Sequence, residues 1–439
     1  LADHPSIYNS LQYYQKVISA GKKVTGGIVH YYIFDDHKSE NFYPLTLARS
    51  VGDLRVGILK QRQRIAAYLN IEQTALIIDE NLEAIYRERH PDWIINQTKA
   101  EPICLVNSRL KIDDELTEAI RKLRSKEALV YNDDIIAAKI TATDGKNSYE
   151  KISTVMKKAK LVNYGADVCW QYPWQMIESN GKWLRRDFED FFYEKDNYFE
   201  TEPGVTVLNP YNIWIGEGVE IKPSVVIDAS AGPVVIDEKA TIMSHSLIIG
   251  PAYIGKKSKI KAGAKIYENN SIGPICKIGG EIEGCIVQAY SNKQHDGFLG
   301  HSYLGEWINL GANTNNSDLK NNYGSVKMYN YSKKGEIDTK LQFLGAIIGD
   351  HTKTAINTTI YTGCCIGVGC NLYGSYPFAH FISSFSWGMQ NSFAEYRELD
   401  FFLTADKVKK RRNLDLSDRE KELYTNIRSY EMSLSKVTV

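Results

Sequence analysis

The sequence has no excess of charge: its 439 residues carry 53 Lys+Arg against 53 Asp+Glu. That balance offers no electrostatic footprint for nucleic acid or for an anionic membrane. It also lacks any apolar run near the ~20 residues that a bilayer-spanning helix needs. No Cys-x-x-Cys pair occurs, and the 7 cysteines are scattered at positions 104, 169, 276, 285, 364, 365 and 370. Such spacing speaks against a zinc ribbon or a disulfide framework, and for reduced, buried thiols in a cytoplasmic protein. Residues 1–27 lack the basic start and apolar core of a signal peptide. They read as an N-terminal extension with a helix over Leu11–Ser19. What remains is ordinary for a globular chain, 43% hydrophobic and 24% charged. The length allows two or three domains, each with its own core.

The strongest positive signal is a repeat. Isoleucine occupies positions 236, 242, 248, 254, 260, 266, 272 and 278, always six residues apart. Ile215, Ile221 and Ile227 keep the same spacing upstream; Leu304 and Leu310, then Ile348, Thr354, Ile360, Ile366 and Leu372, keep it downstream. Six fits neither a helix of 3.6 residues per turn nor simple strand alternation. It fits a coil of short strands and tight corners, in which every sixth residue points inward and stacks on the next coil. Two polar stretches break the spacing, Glu283–Gly300 and Asn313–Thr339. Both are expected to be loops on one face of the solenoid, where binding sites collect.

Before the repeat, strands and helices alternate as in an α/β layered domain. Val29–Phe34, Thr74–Ile78 and Ile103–Val106 read as buried strands; Val51–Tyr68 and Asp113–Arg124 read as helices. Pro173–Ser179 reads as a helix opened by proline and stopped by Asn180-Gly181, with a second helix over Trp183–Tyr193. After Trp387 the chain turns helical. Ser392-x-x-Glu395 and Ser417-x-x-Glu420 are read as capping boxes opening two helices. The basic run Lys407–Arg412 between them reads as a solvated helix face, or else as an arm for a phosphate or a neighbouring subunit. The expected division is 1–27 extension, 28–200 α/β domain with linking helices, 201–388 solenoid, and 389–439 helical tail.

Certain motifs carry a resemblance. Gly300-His301-Ser302-Tyr303-Leu304-Gly305, then Asn309-Leu310-Gly311-Ala312-Asn313-Thr314, then Asn321-Asn322-Tyr323-Gly324 resemble the acetyltransferase half of the bifunctional N-acetylglucosamine-1-phosphate uridyltransferase/glucosamine-1-phosphate acetyltransferase family. Pro44-Leu45-Thr46 through Arg49-Ser50-Val51-Gly52-Asp53-Leu54-Arg55-Val56-Gly57 is similar to a divergent branch of sugar nucleotidyltransferases, with Ser50 where the branch has proline. The resemblance implies an α/β nucleotidyltransferase-like domain followed by a left-handed parallel β-helix with a helical tail. It implies a homotrimer using acetyl-CoA, a nucleoside triphosphate, a sugar phosphate and Mg2+. His301 falls on the family's catalytic base, and Tyr303, Asn309 and Asn322 fall on its substrate-contacting residues. Asn107 falls near the family's metal-binding aspartate, without its charge. The family's Gly-rich phosphate loop is replaced by Phe34-Asp35-Asp36-His37-Lys38.

The residue chemistry supports this assignment of roles. Acyl transfer from a thioester needs a base that titrates near neutrality, which suits His301. Lys293 and His295 in the polar stretch are further candidates. Nucleotidyl transfer needs cations on the triphosphate: Arg49, Arg55 and Lys60 are expected there, the last two on or near one helix, with a metal on Asp35 or Asp36. Three readings follow: a nucleotidyltransferase fused to an acetyltransferase acting on an amino sugar phosphate or nucleotide sugar; an active β-helix acyltransferase with an N-terminal binding module; or a structural trimer without catalysis.

Overall fold

The computed structural model describes residues 30–193, 197, 199–374, 379–389 and 392–435. The extension 1–27 and its expected helix lie outside these residues. The chain forms two compact units. One gathers the residues up to Ser39 with Arg49–Leu54 and Leu59–Gln171; the other gathers Glu40–Ala48, Arg55–Ile58 and the chain from Tyr172 onward.

The first unit is built on a seven-stranded mixed sheet. Its order is Ile94–Ile95, Ala75–Ile77, His30–Phe34, Pro102–Asn107, Asp134–Thr141, Glu127–Tyr131, Lys160–Asn163. The first four strands are mutually parallel. Phe34, Ile77, Ile103 and Leu105 lie in its core. Helices Gln61–Leu69, Glu80–Arg89 and Asp114–Arg121 follow individual strands, as layered α/β patterning demands. The expected helix over Val51–Tyr68 is half that long. Val51–Asp53 is a single 3-10 turn, and the α-helix starts only at Gln61. Lys60 is its N-cap, and its backbone N–H donates to the Gln63 side chain at 2.9 Å. Gly57 holds φ +70° just upstream. Arg55 is therefore not on a helix.

The second unit is a parallel β-helix of three sheets. Strands of two or three residues stack coil on coil, so that one inward column reads Ile215, Ile236, Ile254, Ile272, Val287, Leu304, Ile348, Ile366, Ile382. These residues form one continuous buried core. The six-residue spacing is the cause: each coil can bury its apolar residues only against its neighbours.

The stretch Glu283–Gly300 corrects the sequence expectation. It is not a loop. Ile286–Val287, Asn292–Lys293 and Phe298–Gly300 continue the three sheets, with shortened corners that shift the spacing. Lys293 pairs in register with Ile278, at a position that isoleucine holds in the preceding coils. It is 2% exposed. Its ammonium donates to the Gly279 and His295 carbonyls at 3.2 and 2.8 Å. Burial pushes its pKa down to about 8. The folded value lies below the ordinary lysine value, so the buried charge opposes folding in full below about pH 8 and less as pH rises above it. We expect Lys293→Met, of similar volume, to be more stable at pH 7, by up to roughly 3 kcal/mol. Denaturant titration at pH 7 and pH 9.5 checks this: the wild type should gain on the variant at the higher pH, and equal responses would contradict it.

The second polar stretch is a true insertion. Between Asn316 and Ile347 the chain leaves the coil and forms an antiparallel hairpin, Lys327–Asn330 with Gly335–Asp338. The Asn180-Gly181 stop is absent: one helix runs through Pro173–Phe191. There the Asn180 side chain accepts from the Gly57 N–H at 2.7 Å and donates to the Asn269 carbonyl at 2.8 Å. A Cβ at Gly181 would stand 1.9 Å from Asn269 Oδ1. The pair thus marks a close approach and not a helix end.

At the tail, Ser392–Glu395 is a strand paired antiparallel with Ser386–Met389, and the helix begins at Glu398. Ser417 and Glu420 do form the expected capping box ahead of Asp418–Ser435. The basic run is not simply solvated. Lys409 is buried on Glu420 and lies 5.7 Å from the centre of the Trp307 ring, and Arg412 reaches Asn292 Oδ1 at 3.3 Å. All seven cysteines are buried and free. Among the described residues no helix is long and apolar enough to cross a membrane.

Candidate active site

In the β-helix unit, His301 stands at the corner between Phe298–Gly300 and Tyr303–Leu304, with φ +41°. Its Nδ1 lies 2.7 Å from Asp318 Oδ2, and its side chain is 24% exposed. A carboxylate accepts only, so Nδ1 carries the hydrogen and Nε2 is left as the basic nitrogen. Gly284, at φ +60°, makes room for the ring: a Cβ there would stand 2.8 Å from Cδ2 and 3.0 Å from Nε2. The corner is pinned by Asn316, which accepts from Gly300 N–H at 2.8 Å and donates to Gly300 O at 3.0 Å. Asn315 accepts from Phe298 N–H at 2.7 Å. The sequence reading missed Asp318, whose local signal is only a polar Asn-Asn-Ser-Asp run entering the insertion.

The other residues expected around His301 are placed differently. Tyr303 is fully buried, and its hydroxyl donates to the Arg55 carbonyl at 2.8 Å. Asn309 is exposed on the outer face, in register between Asn292 and Lys353. Asn322 is an exposed turn residue accepting from Gly324 N–H at 3.1 Å. His295 is exposed, and Lys293 is sealed in the core.

In the α/β unit the second cluster sits at the carboxyl ends of two adjacent parallel strands, where ligands of open α/β sheets bind. Phe34 and Asn107 are register partners, so Asp35-Asp36 comes to lie beside Asn107-Ser108-Arg109. Arg109 is fully buried and forks between Asp36 and Asp134. Lys38 Nζ adds a 2.8 Å pair with Asp134. Asn107 donates to Asp36 at 2.9 Å and accepts from the Arg109 N–H. Asp35 accepts from the hydroxyls of Ser50, at 2.9 Å, and Ser108. Burial nevertheless pushes its carboxyl up to about 7. Ser50, which stands where the branch has proline, thus supplies a hydroxyl that proline could not.

The cations expected on a phosphate are largely committed elsewhere. Lys60 and Arg62 pair with Asp53 at 3.0 and 2.8 Å. Burial alone would raise the Asp53 carboxyl, but these two cations and the Tyr86 hydroxyl outweigh it and hold it well below the ordinary range. Arg49 is buried. Arg55 belongs to the β-helix unit, with its guanidinium 5.0 Å from the Tyr253 ring centre and donating to the Ile58 carbonyl. It packs against the solenoid. The Mg2+ expectation does not fit either. Asp36 spends both oxygens on Asn107 and Arg109, and Asp35 Oδ1 accepts from both Ser50 and Ser108. Among the described residues no group of three or more His, Cys, Asp or Glu could hold a metal ion.

Residues 31–195 match the family model of sugar nucleotidyl transferases. The α/β unit therefore carries a nucleotidyltransferase domain, as its motifs implied. The chain is similar to the bifunctional protein GlmU of Synechococcus elongatus, 28% identical over 184 residues, covering 37% of this chain and 36% of that protein. It is 34% identical over 148 residues to a bifunctional sugar-1-phosphate nucleotidylyltransferase/acetyltransferase of Sulfurisphaera tokodaii, covering 32% and 35%. The chain thus spans little more than a third of the length of these two relatives, with 36% and 35% covered. Among solved structures, a UDP-N-acetylglucosamine acyltransferase from Campylobacter jejuni aligns at TM-score 0.30 and 14% identity, over 53% of this chain and 83% of that one.

Proposed function

We propose that the chain is a transferase with two activities, acyl transfer on the β-helix and sugar-1-phosphate nucleotidyl transfer in the α/β unit. The His301–Asp318 pair carries the reading. A histidine held through Nδ1 by a carboxylate, with Nε2 toward a glycine-cleared corner, is built to take a proton. The acceptor is an amino sugar phosphate or a nucleotide sugar, and the donor is an acyl thioester, acetyl-CoA. The acceptor amine attacks the thioester carbonyl and His301 Nε2 removes its proton. The C–S bond then breaks, and the imidazolium returns the proton to the leaving thiolate. A homotrimer in the cytoplasm accords with the resemblance.

One observation favours the narrower reading, in which only the β-helix is catalytic and the α/β unit binds ligand. Of the acidic pair that would have held a metal, Asp36 is neutralised by Arg109 and Asp35 is tied to the Ser50 and Ser108 hydroxyls. Two assays on the same preparation decide between the readings. The first follows thiol release from acetyl-CoA with a panel of amino sugar 1-phosphates. The second follows pyrophosphate release from nucleoside triphosphates with sugar 1-phosphates and Mg2+. Both signals are expected; thiol release alone would establish the narrower reading, and neither would leave the solenoid a structural scaffold.

A further inference from the structure

The insertion between Asn316 and Ile347 does more than supply Asp318. Its outgoing and returning legs meet at an antiparallel bridge between Leu319 and Phe343. Leu344 N–H donates to the Asp318 carbonyl at 2.8 Å, and Gly345 N–H donates to the His301 carbonyl at 2.8 Å. These bonds fix both legs on the histidine. One leg places Asp318 on Nδ1, and the other places the Phe343 ring 5.5 Å from the imidazole centre, tilted by 37°. Phe343 is nevertheless 45% exposed. Tyr323, 67% exposed, lies on the same insertion and is tied to Gln342, the neighbour of Phe343, through a 3.2 Å hydrogen bond from the Gln342 amide to the Tyr323 carbonyl. An aromatic face placed beside the proposed base, yet left open, has a chemical use. The C–H face of a pyranose stacks on such a ring, while its polar groups stay free to meet an adjacent hydrogen-bonding residue.

We infer that Phe343 is the stacking platform for the sugar ring of the acyl acceptor, positioning the acceptor's nucleophile at His301 Nε2. The inference rests on the acyltransferase reading and names the residue that selects its acceptor. Phe343 has no polar atom, so it contributes to acceptor binding and takes no part in proton transfer.

Direct binding is the test, read by calorimetry with glucosamine 1-phosphate and no acyl donor. Phe343→Leu keeps apolar volume and loses the ring; it should weaken binding about fivefold to tenfold. Phe343→Trp should retain or tighten it. In turnover assays Phe343→Leu should raise the KM for the acceptor by a similar factor and leave the KM for acetyl-CoA unchanged. Unchanged sugar binding in Phe343→Leu, no binding to the wild type, or a rise confined to the acetyl-CoA KM would each overturn the platform. Wild-type protein that binds the sugar phosphate through Phe343 but transfers no acyl group would overturn the acyltransferase reading and leave the platform standing.

Discussion

Replacing His301 by asparagine is expected to lower kcat/KM for acyl transfer by about 10²–10⁴-fold, the usual contribution of a positioned general base. The fold should survive, because the ring is partly exposed and its backbone bonds to Glu283 and Gly345 do not involve the side chain. Asp318→Asn should cost up to about 10⁴-fold. An amide in place of the carboxylate can donate to Nδ1, which turns the ring to the tautomer whose Nε2 carries hydrogen and cannot accept a proton. Pyrophosphate release from nucleoside triphosphates should be unchanged in both variants. If Asp318→Asn kept wild-type acyl transfer, the carboxylate would be a structural pin of the insertion only. If both activities fell together, the division of labour between the units would fail.

The second large effect concerns stability. Arg109 is the buried cation between Asp36 and Asp134, and its guanidinium also donates to the Trp170 carbonyl at 2.7 Å. Arg109→Met leaves both carboxylates buried without their shared cation, Asp36 with the Asn107 amide and Asp134 with Lys38 and Gln171. A loss of about 3–5 kcal/mol is expected, the usual cost of stripping one partner from a buried ion pair. The pH dependence identifies the cause. Burial would raise the Asp134 carboxyl, but Arg109, Lys38 and Gln171 outweigh it and hold it low. A depressed folded pKa contributes stability above the ordinary carboxylate value, and that contribution is lost as pH falls through the folded value. The deficit of the variant should therefore be largest at neutral pH and shrink at acid pH, as the Asp134 carboxylate takes up its proton. A deficit independent of pH would point to lost packing instead of lost charge. Thermal unfolding of wild type and variant from pH 3.5 to 8 measures it.

The solenoid was legible because its cause is local. A residue that must be buried every sixth position leaves the same mark in every coil, and Ile236 through Ile278 show it without interruption. Glu283–Gly300 was misread for the same reason. Shortened corners moved the inward positions to Val287, Lys293 and Leu299, and a lysine in an isoleucine's place hides the register. Asn180-Gly181 and Ser392-x-x-Glu395 carry helix-end chemistry, but tertiary partners overrode it: Gly57 and Asn269 in one case, the strand Ser386–Met389 in the other. Propensity is a weak prior when buried polar groups must be satisfied.

The candidate sites divide along the same line. The residues from Gly300 to Gly305 marked His301 from sequence alone, because the proposed base lies in a contiguous motif. Its partner was not marked, since Asp318 reaches Nδ1 only when the chain has completed another turn and entered the insertion. Arg49, Arg55 and Lys60 looked alike as cations in one short stretch. Only the fold separated them, sending Arg55 to the β-helix unit and committing Lys60 to Asp53. The sequence by itself determined the repeat, the alternation of strands and helices before it, and the motif that carries His301. The tertiary structure decided which charges are already paired, which polar stretch is coil and which is insertion, and what stands beside His301, because those depend on contacts between residues far apart in the chain.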